Sequence, residues 1–251
     1  MIVKVKCKAA LWHFIFTAFV AIISAGIIFV AWFPAPFTGI AGGLELWKIL
    51  IVVELSLGPL MSLVIYNPSK GVRELILDYS LVAVVQLAAL IYGLATVYQA
   101  RPVFFVFVKD RFELVLASEF DKGDRQQANA WERHWYGVSL VSTRPPQNSE
   151  ERAELLFGVV ESGRGVHLRP KYYSVIDVDL VREHGQSLTA LRNLLIQADE
   201  SSLLTGIRNF DDEHYWLPAV NGKSYLIVIM DGSNKPVTFL PIDPWELMKS
   251  A

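Results

Sequence analysis

The stretch Ala9 to Trp32, AALWHFIFTAFVAIISAGIIFVAW, decides the class of this chain. It holds no Asp, Glu, Lys or Arg, and a helix rising 1.5 Å per residue needs ~20 apolar residues to cross a bilayer core. Working outward, the apolar stretches Trp47 to Tyr66 and Tyr79 to Gln99 are also long enough, so three membrane-spanning helices are expected at about 9–32, 47–66 and 79–99. Lys4, Lys6 and Lys8 precede the first span as they would a secretory signal. The apolar run is too long for one and no A-x-A site closes it, so it reads as a retained anchor. Cys7 is the sole cysteine and follows Val5 and Lys6, not small apolar residues. A lipoprotein attachment site is not expected there, and neither a disulfide framework nor a thiolate metal site can be built within the chain.

The 251 residues include 23 basic and 25 acidic side chains, a formal net charge of −2. That balance excludes a basic nucleic-acid binder and a disordered acidic tail. The first 100 residues carry 10 charges and the last 151 carry 38. The division predicts a membrane domain over residues 1–100 and one soluble-type domain over 101–251, of ordinary single-core size.

Orientation follows from the short loops, because Lys and Arg beside spans are retained in the cytoplasm. The N-terminus has three lysines, Phe33 to Leu46 has no Lys or Arg, and Asn67 to Asp78 has Lys70 and Arg73. The expected order is N-terminus inside, first loop outside, second loop inside, and Ala100 to Ala251 outside, which in a Gram-negative inner membrane is the periplasm. Trp12, Trp32, Trp47, Tyr66 and Tyr98 fall near span ends, where amphipathic rings prefer to lie.

Polar residues within the spans are few. Glu54 lies seven residues into the second span, ~10 Å below the outer surface, and Ser24 of the first span comes at nearly the same depth. Gln86 and Thr17 match in depth nearer the cytoplasmic side, so interhelical hydrogen bonds are expected at both levels. Glu54 reads first as bundle glue, with a proton relay or substrate-charge site as the alternative. Leu57-Gly58-Pro59-Leu60 predicts a kink around residues 55 to 59, and Pro34 and Pro36 stop the first helix. Asn67-Pro68-Ser69-Lys70-Gly71 reads as a tight turn.

Past Arg101-Pro102, the pattern predicts strands at 103–108 and 112–116 around a Lys109-Asp110-Arg111 turn, then at 138–142, 172–178, 214–220, 224–230 and 237–240. Asn221-Gly222 is a strong hairpin signal. Helices are expected over 124–136, over 149–157 with Ser149 as cap, and after Ser187, where Leu188, Leu191, Leu194, Leu195 and Ala198 form one apolar stripe. The fold class expected is therefore an integral membrane protein: three transmembrane α-helices followed by an α+β domain with a mainly antiparallel sheet.

No G-x-S-x-G, H-E-x-x-H, phosphate-binding glycine loop or C-x-x-C occurs. Asp211-Asp212-Glu213-His214, with His167 and His184, could in principle converge on a metal, but consecutive acids before a strand more often make a solvated turn. Arg164, Arg169 and Lys171 form a mild basic cluster that could meet an acidic partner or simply face water.

The membrane-half motifs, read together, carry a resemblance. They are Phe33-Pro34-Ala35-Pro36, Leu57-Gly58-Pro59-Leu60, Asn67-Pro68-Ser69-Lys70, Asp78 opening the third span, Gln86 to Gly93 (QLAALIYG), and Ala100-Arg101-Pro102 followed by Phe107 and Asp110-Arg111-Phe112. In this order, over residues 33 to 112, they resemble the family of type IV pilin accessory proteins, small inner-membrane proteins encoded with pilins in Gram-negative bacteria.

The resemblance implies a non-enzymatic accessory factor that modulates pilin stability, assembly or surface display by binding at the inner membrane. It implies type IV pilin or pilus assembly machinery as partner, with membrane lipid around it, no nucleic acid and no cofactor. It supplies no catalytic residues. Its recurring residues here, Pro59, Gln86, Arg101, Asp110 and Arg111, join Glu54 as candidate structural or partner-contact positions. The competing expectation is a membrane-tethered periplasmic enzyme or metal-binding protein centred on Asp211 to His214. An envelope sensor is a third, with an eight-residue tail and one short loop as its whole cytoplasmic part.

Overall fold

A computed structural model of the chain describes residues 2–67, 69–131, 135–222 and 224–250. Pro68 of the expected turn and residues 132–134 of the expected helix over 124–136 lie outside the described residues. The backbone divides into two units: residues up to 33 with Gly42–Arg101, and Pro34–Ala41 with the residues from Pro102 onward.

The first unit is three helices: α1 (Ile2–Gly26), which continues through a π-helical stretch at Ile27–Trp32, α2 (Gly43–Ile65) and α3 (Val72–Gln99). All three are long and apolar enough to cross a membrane. Each begins before the apolar stretch that announces it, since hydropathy ends at Lys8 or Asp78 whereas helix propensity does not: Lys, Glu and Arg are good helix formers. The helix ends at Phe33, just before Pro34, as expected, with the Phe33 N–H bonded to Ile28 O at 2.7 Å. Pro59 stays inside α2.

Leu50, Glu54, Gly58 and Ser62 of α2 are buried at four-residue spacing, and Ala10, Thr17, Ala21, Ser24 and Ile28 are buried on α1. Small side chains on both stripes let the two helices approach closely. Helices α1 and α3 both pack on α2. Trp32 meets Tyr98 edge-on at 5.1 Å, and Arg101, 3% exposed, lays its guanidinium 3.7 Å from the centre of the Tyr98 ring.

The second unit is an eight-stranded sheet: β1 (Pro102–Val108), β2 (Arg111–Leu116), β3 (Ser139–Thr143), β4 (Tyr173–Val175), β5 (Gln186–Ser187), β6 (Tyr215–Asn221), β7 (Ser224–Met230) and β8 (Pro236–Leu240). The order is β4-β3-β1-β2-β6-β7-β8, with β5 pairing β6. β1 and β2 form the expected antiparallel hairpin, but β1 pairs with β3 and β2 with β6 in parallel. The sheet is thus mixed and not mainly antiparallel. The chain passes through α4 (Lys122–Ala128) before β3 returns beside β1, and through α5 (Ser149–Ser162), α6 (Val178–His184), α7 (Leu188–Gln197) and α8 (Leu204–Ile207) before β6 arrives. Such crossovers permit parallel pairing, and a hydrophobic alternation reports the buried face of a strand, not the direction of its neighbour.

On one sheet face, Trp216, Ile227, Ile229 and Leu240 pack beneath Leu188, Leu191 and Leu195 of α7 and Leu247 of α9 (Pro244–Ser250). Phe104, Val106 and Val115 form a second cluster with Ala128 and Tyr173. Successive strand residues point to opposite faces, so Phe105 lies on the other side, stacked on Phe112 at 4.3 Å. There Phe37, from Pro34–Ala41, meets Phe105 at 5.4 Å and Phe239 at 5.5 Å, while Asn221 Nδ2 donates to Ile40 O at 2.5 Å. Those eight residues belong to the sheet unit for that reason.

Ser187 caps α7, its Oγ accepting from Ala190 N–H at 3.2 Å. The cap of α5 is Asn148 and not Ser149: Asn148 Oδ1 accepts from Glu151 N–H at 2.8 Å. The strand expected over 172–178 ends at Val175, because Asp177 accepts from Leu180 N–H and starts α6. Pro218, with no N–H to give, sits in β6 between Trp216, the last β5 partner, and Ala219, the first β2 partner.

Candidate functional site

The helical unit carries a polar cluster on an apolar background. In the neutral ring His13 Nε2–H donates to Gln86 Oε1 at 2.8 Å, which leaves Nδ1 to accept from Ser62 O–H at 2.6 Å. One imidazole thereby ties α1 to both α2 and α3. Gly58 makes room for it, since a Cβ there would lie 2.5 Å from Gln86 Nε2 and 2.8 Å from His13 Nε2.

The expected pairs differ. Thr17 Oγ donates to His13 O at 3.0 Å and Ser24 Oγ to Ala21 O at 2.8 Å, so each bonds its own helix and neither reaches Gln86 or Glu54. Glu54 is 6% exposed and makes no hydrogen bond among the described residues.

Glu54, His13, Thr17 and Gln86 line a cavity of about 730 Å³ whose walls come from Ala9 to Val20 of α1 and Tyr79 to Leu90 of α3. Apart from these four the lining is apolar or aromatic, including Trp12, Phe16, Tyr79 and Leu87. On its other side Glu54 borders a smaller, apolar cavity of about 250 Å³ between α2 and α3. The sequence had singled out Glu54, Pro59 and Gln86 but not His13. An imidazole between Trp12 and Phe14 carried a signal all the same, as a ring with two polar nitrogens in a span needs two partners.

The remaining candidates have local roles. Asp110 closes the β1–β2 turn, its carboxylate 3.1 Å from Arg111 Nε, and Arg111 also faces the Trp245 ring at 5.1 Å. Arg101 donates to Tyr98 O at 2.9 Å. Arg164 binds Asp124 at 2.7 Å, while Arg169 and Lys171 share Glu154 at 3.3 and 2.8 Å, so the basic cluster is engaged in internal pairs.

His214 Nδ1 lies 2.6 Å from Asp211 Oδ1, a bond that holds the Asp211 carboxyl below its usual range. His184 bonds Leu180 O and meets Phe107 edge-on. His167 is largely buried, which pushes its pKa down to about 4, with Arg164 adding to the effect. Among the described residues, no three His, Cys, Asp or Glu side chains stand close enough to share a metal.

Three helices long and apolar enough to cross a bilayer, joined to a mixed-sheet unit, define a class of α+β protein equipped to sit in a membrane. The family model for the fimbrial assembly protein FimB matches residues 2–42, which comprise α1 and the loop ending at Gly42. A fimbrial assembly protein of serogroup E1 from Dichelobacter nodosus is 31% identical over 246 residues, covering 94% of each chain. One of serogroup I from the same organism is 30% identical over 245 residues with the same coverage. A third, of serogroups C1 and C2, is 38% identical over 112 residues, 45% of this chain and 82% of that one. The chain belongs to the family of fimbrial assembly proteins. No solved structure matches it.

Proposed function

We propose that this protein is a non-enzymatic accessory factor of type IV pilus biogenesis, modulating pilin stability, assembly or surface display by binding at the Gram-negative inner membrane. The observation that carries the reading is the 31% identity, over 94% of both chains, with a protein named for fimbrial assembly. The lysines before α1 and the Lys70 and Arg73 pair between α2 and α3 support a cytoplasmic N-terminus and a periplasmic sheet unit. A subunit held in the membrane by an apolar helix, with its head outside, would meet this protein on both kinds of surface. The candidate contacts are Glu54, Pro59, Gln86 and Arg101 in the helical unit and Asp110 and Arg111 near the start of the sheet unit.

Deleting the gene in its native host and measuring surface and total pilin together tests the proposal. The expected outcome is reduced surface pilin, restored by the intact chain. A matching fall in total pilin assigns the effect to subunit stability, and an unchanged total assigns it to assembly or display. Unchanged surface pilin in a host that expresses pilin would sink the reading.

A further inference from the structure

We propose that the cavity between α1 and α3 is a seat for one apolar helix of another protein, and that this helix presents a single hydrogen-bond donor or positive charge to Glu54. The inference rests on reading the three helices as membrane spans, and it deepens the binding role by naming the chemistry of the partner.

Glu54 is the starting point. It is 6% exposed, it makes no hydrogen bond among the described residues, and it borders the cavity. Its carboxyl stands at a cavity with apolar walls, and where that cavity meets hydrocarbon no water relieves a carboxyl without a partner. Around it His13 is committed to Ser62 and Gln86 and Thr17 to its own helix, while the Gln86 amide, on the same cavity, makes no bond to it. The three helices as they stand give Glu54 no bonded donor, and the proposal assigns that donor to a further helix.

The shape of the cavity selects a helix. On α1 the lining residues Ala9, Trp12, His13, Phe16, Thr17 and Val20 recur every three or four positions, and on α3 Tyr79, Ala83, Gln86, Leu87 and Leu90 do the same. Each wall is twelve residues from first to last, ~16 Å or three helical turns. Both walls stand on α2, so the bundle is one helix short of the four that commonly enclose a core. The small-residue stripes of α1 and α2 are consumed by their mutual packing, whereas this groove, apolar or aromatic but for four side chains, is open. A lipid chain could lie in it, but a headgroup donor stays at the interface, ~10 Å from the depth read for Glu54.

The test uses the full chain in phosphatidylcholine nanodiscs, labelled at Cys7, an exposed thiol two residues before the first wall residue. The probes are an oligoleucine helix of about 22 residues bearing one lysine about seven residues from its outer end, and the lysine-free parent, both carrying the matching fluorophore. Energy transfer is expected to show the lysine helix held about tenfold more tightly than the parent. Glu54→Gln, nearly isosteric, should erase that preference, and Ala83→Trp, which fills the groove, should weaken capture of both helices. Circular dichroism confirms that each variant keeps its helices.

Equal capture of the two helices by the native chain overturns the proposal without any variant. So does a lysine preference that survives Glu54→Gln. Loss of capture when phosphatidylethanolamine replaces part of the lipid would identify a lipid amine as the occupant, and pairing of labelled chains that added helix does not displace would identify a second copy. Either result ends the proposal. Capture can fail while the gene deletion still lowers surface pilin, and the reverse, so the two readings fall separately.

Discussion

Gly58 shows how little room the helical unit leaves around its polar cluster. Any side chain there displaces His13 or Gln86, so Gly58→Val should lower the stability of the helical unit by about 1–3 kcal/mol, read by thermal unfolding in detergent. His13→Leu strands the hydroxyl of Ser62 and the carboxamide of Gln86 and should cost a similar ~1–3 kcal/mol.

In the sheet unit two groups titrate in opposite senses. Burial pushes the Glu113 carboxyl up to about 7, against an opposing pull from Arg111. Between pH 4.5 and 7 the folded chain keeps a proton that the unfolded chain releases, so stability falls as pH rises through that window. Glu113→Gln should therefore raise stability at about pH 8 by ~1–2 kcal/mol, allowing for the partial exposure of the group, and leave it nearly unchanged at about pH 4. His167, held down to about 4, behaves in the reverse way: its contribution is lost as pH drops from 6.5 through 4. Denaturation midpoints of His167→Gln across that range should flatten the acid side of the profile.

Elements were legible in the sequence where their signal is local. The three apolar stretches, the hairpin from β1 to β2 and the Ser187 cap stand where residue type places them. What periodicity could not give is relation. Span depth put Thr17 level with Gln86, yet hydrogen bonding also depends on rotation about the helix axis, and that rotation turns His13 to Gln86. Alternation marked β3 and β6 as buried strands but not that both run parallel to their neighbours. Helix α6 was hidden because Asp177 acts as a cap within a run that alternates like a strand. Pro34 and Pro36 signal the end of the first helix and the outer loop, but nothing local marks Phe37, 4% exposed, as a core residue of the sheet. Phe37→Ala should destabilise the sheet unit by about 3–5 kcal/mol, measured as loss of hydrogen-exchange protection in β1 and β8.

At the scale of the whole molecule, the backbone passes between the two units at Phe33–Pro34, Ala41–Gly42 and Arg101–Pro102. The sheet unit is consequently not one continuous stretch of the gene. A fragment cut to residues 102–251 lacks the aromatic plug that Phe37 supplies, and exchanging that fragment between relatives carries over only part of a core. The eight codons for Pro34–Ala41 have to travel with the distant sheet they complete, so inheritance of the first loop is tied to the far end of the chain and not to the helices on either side of it.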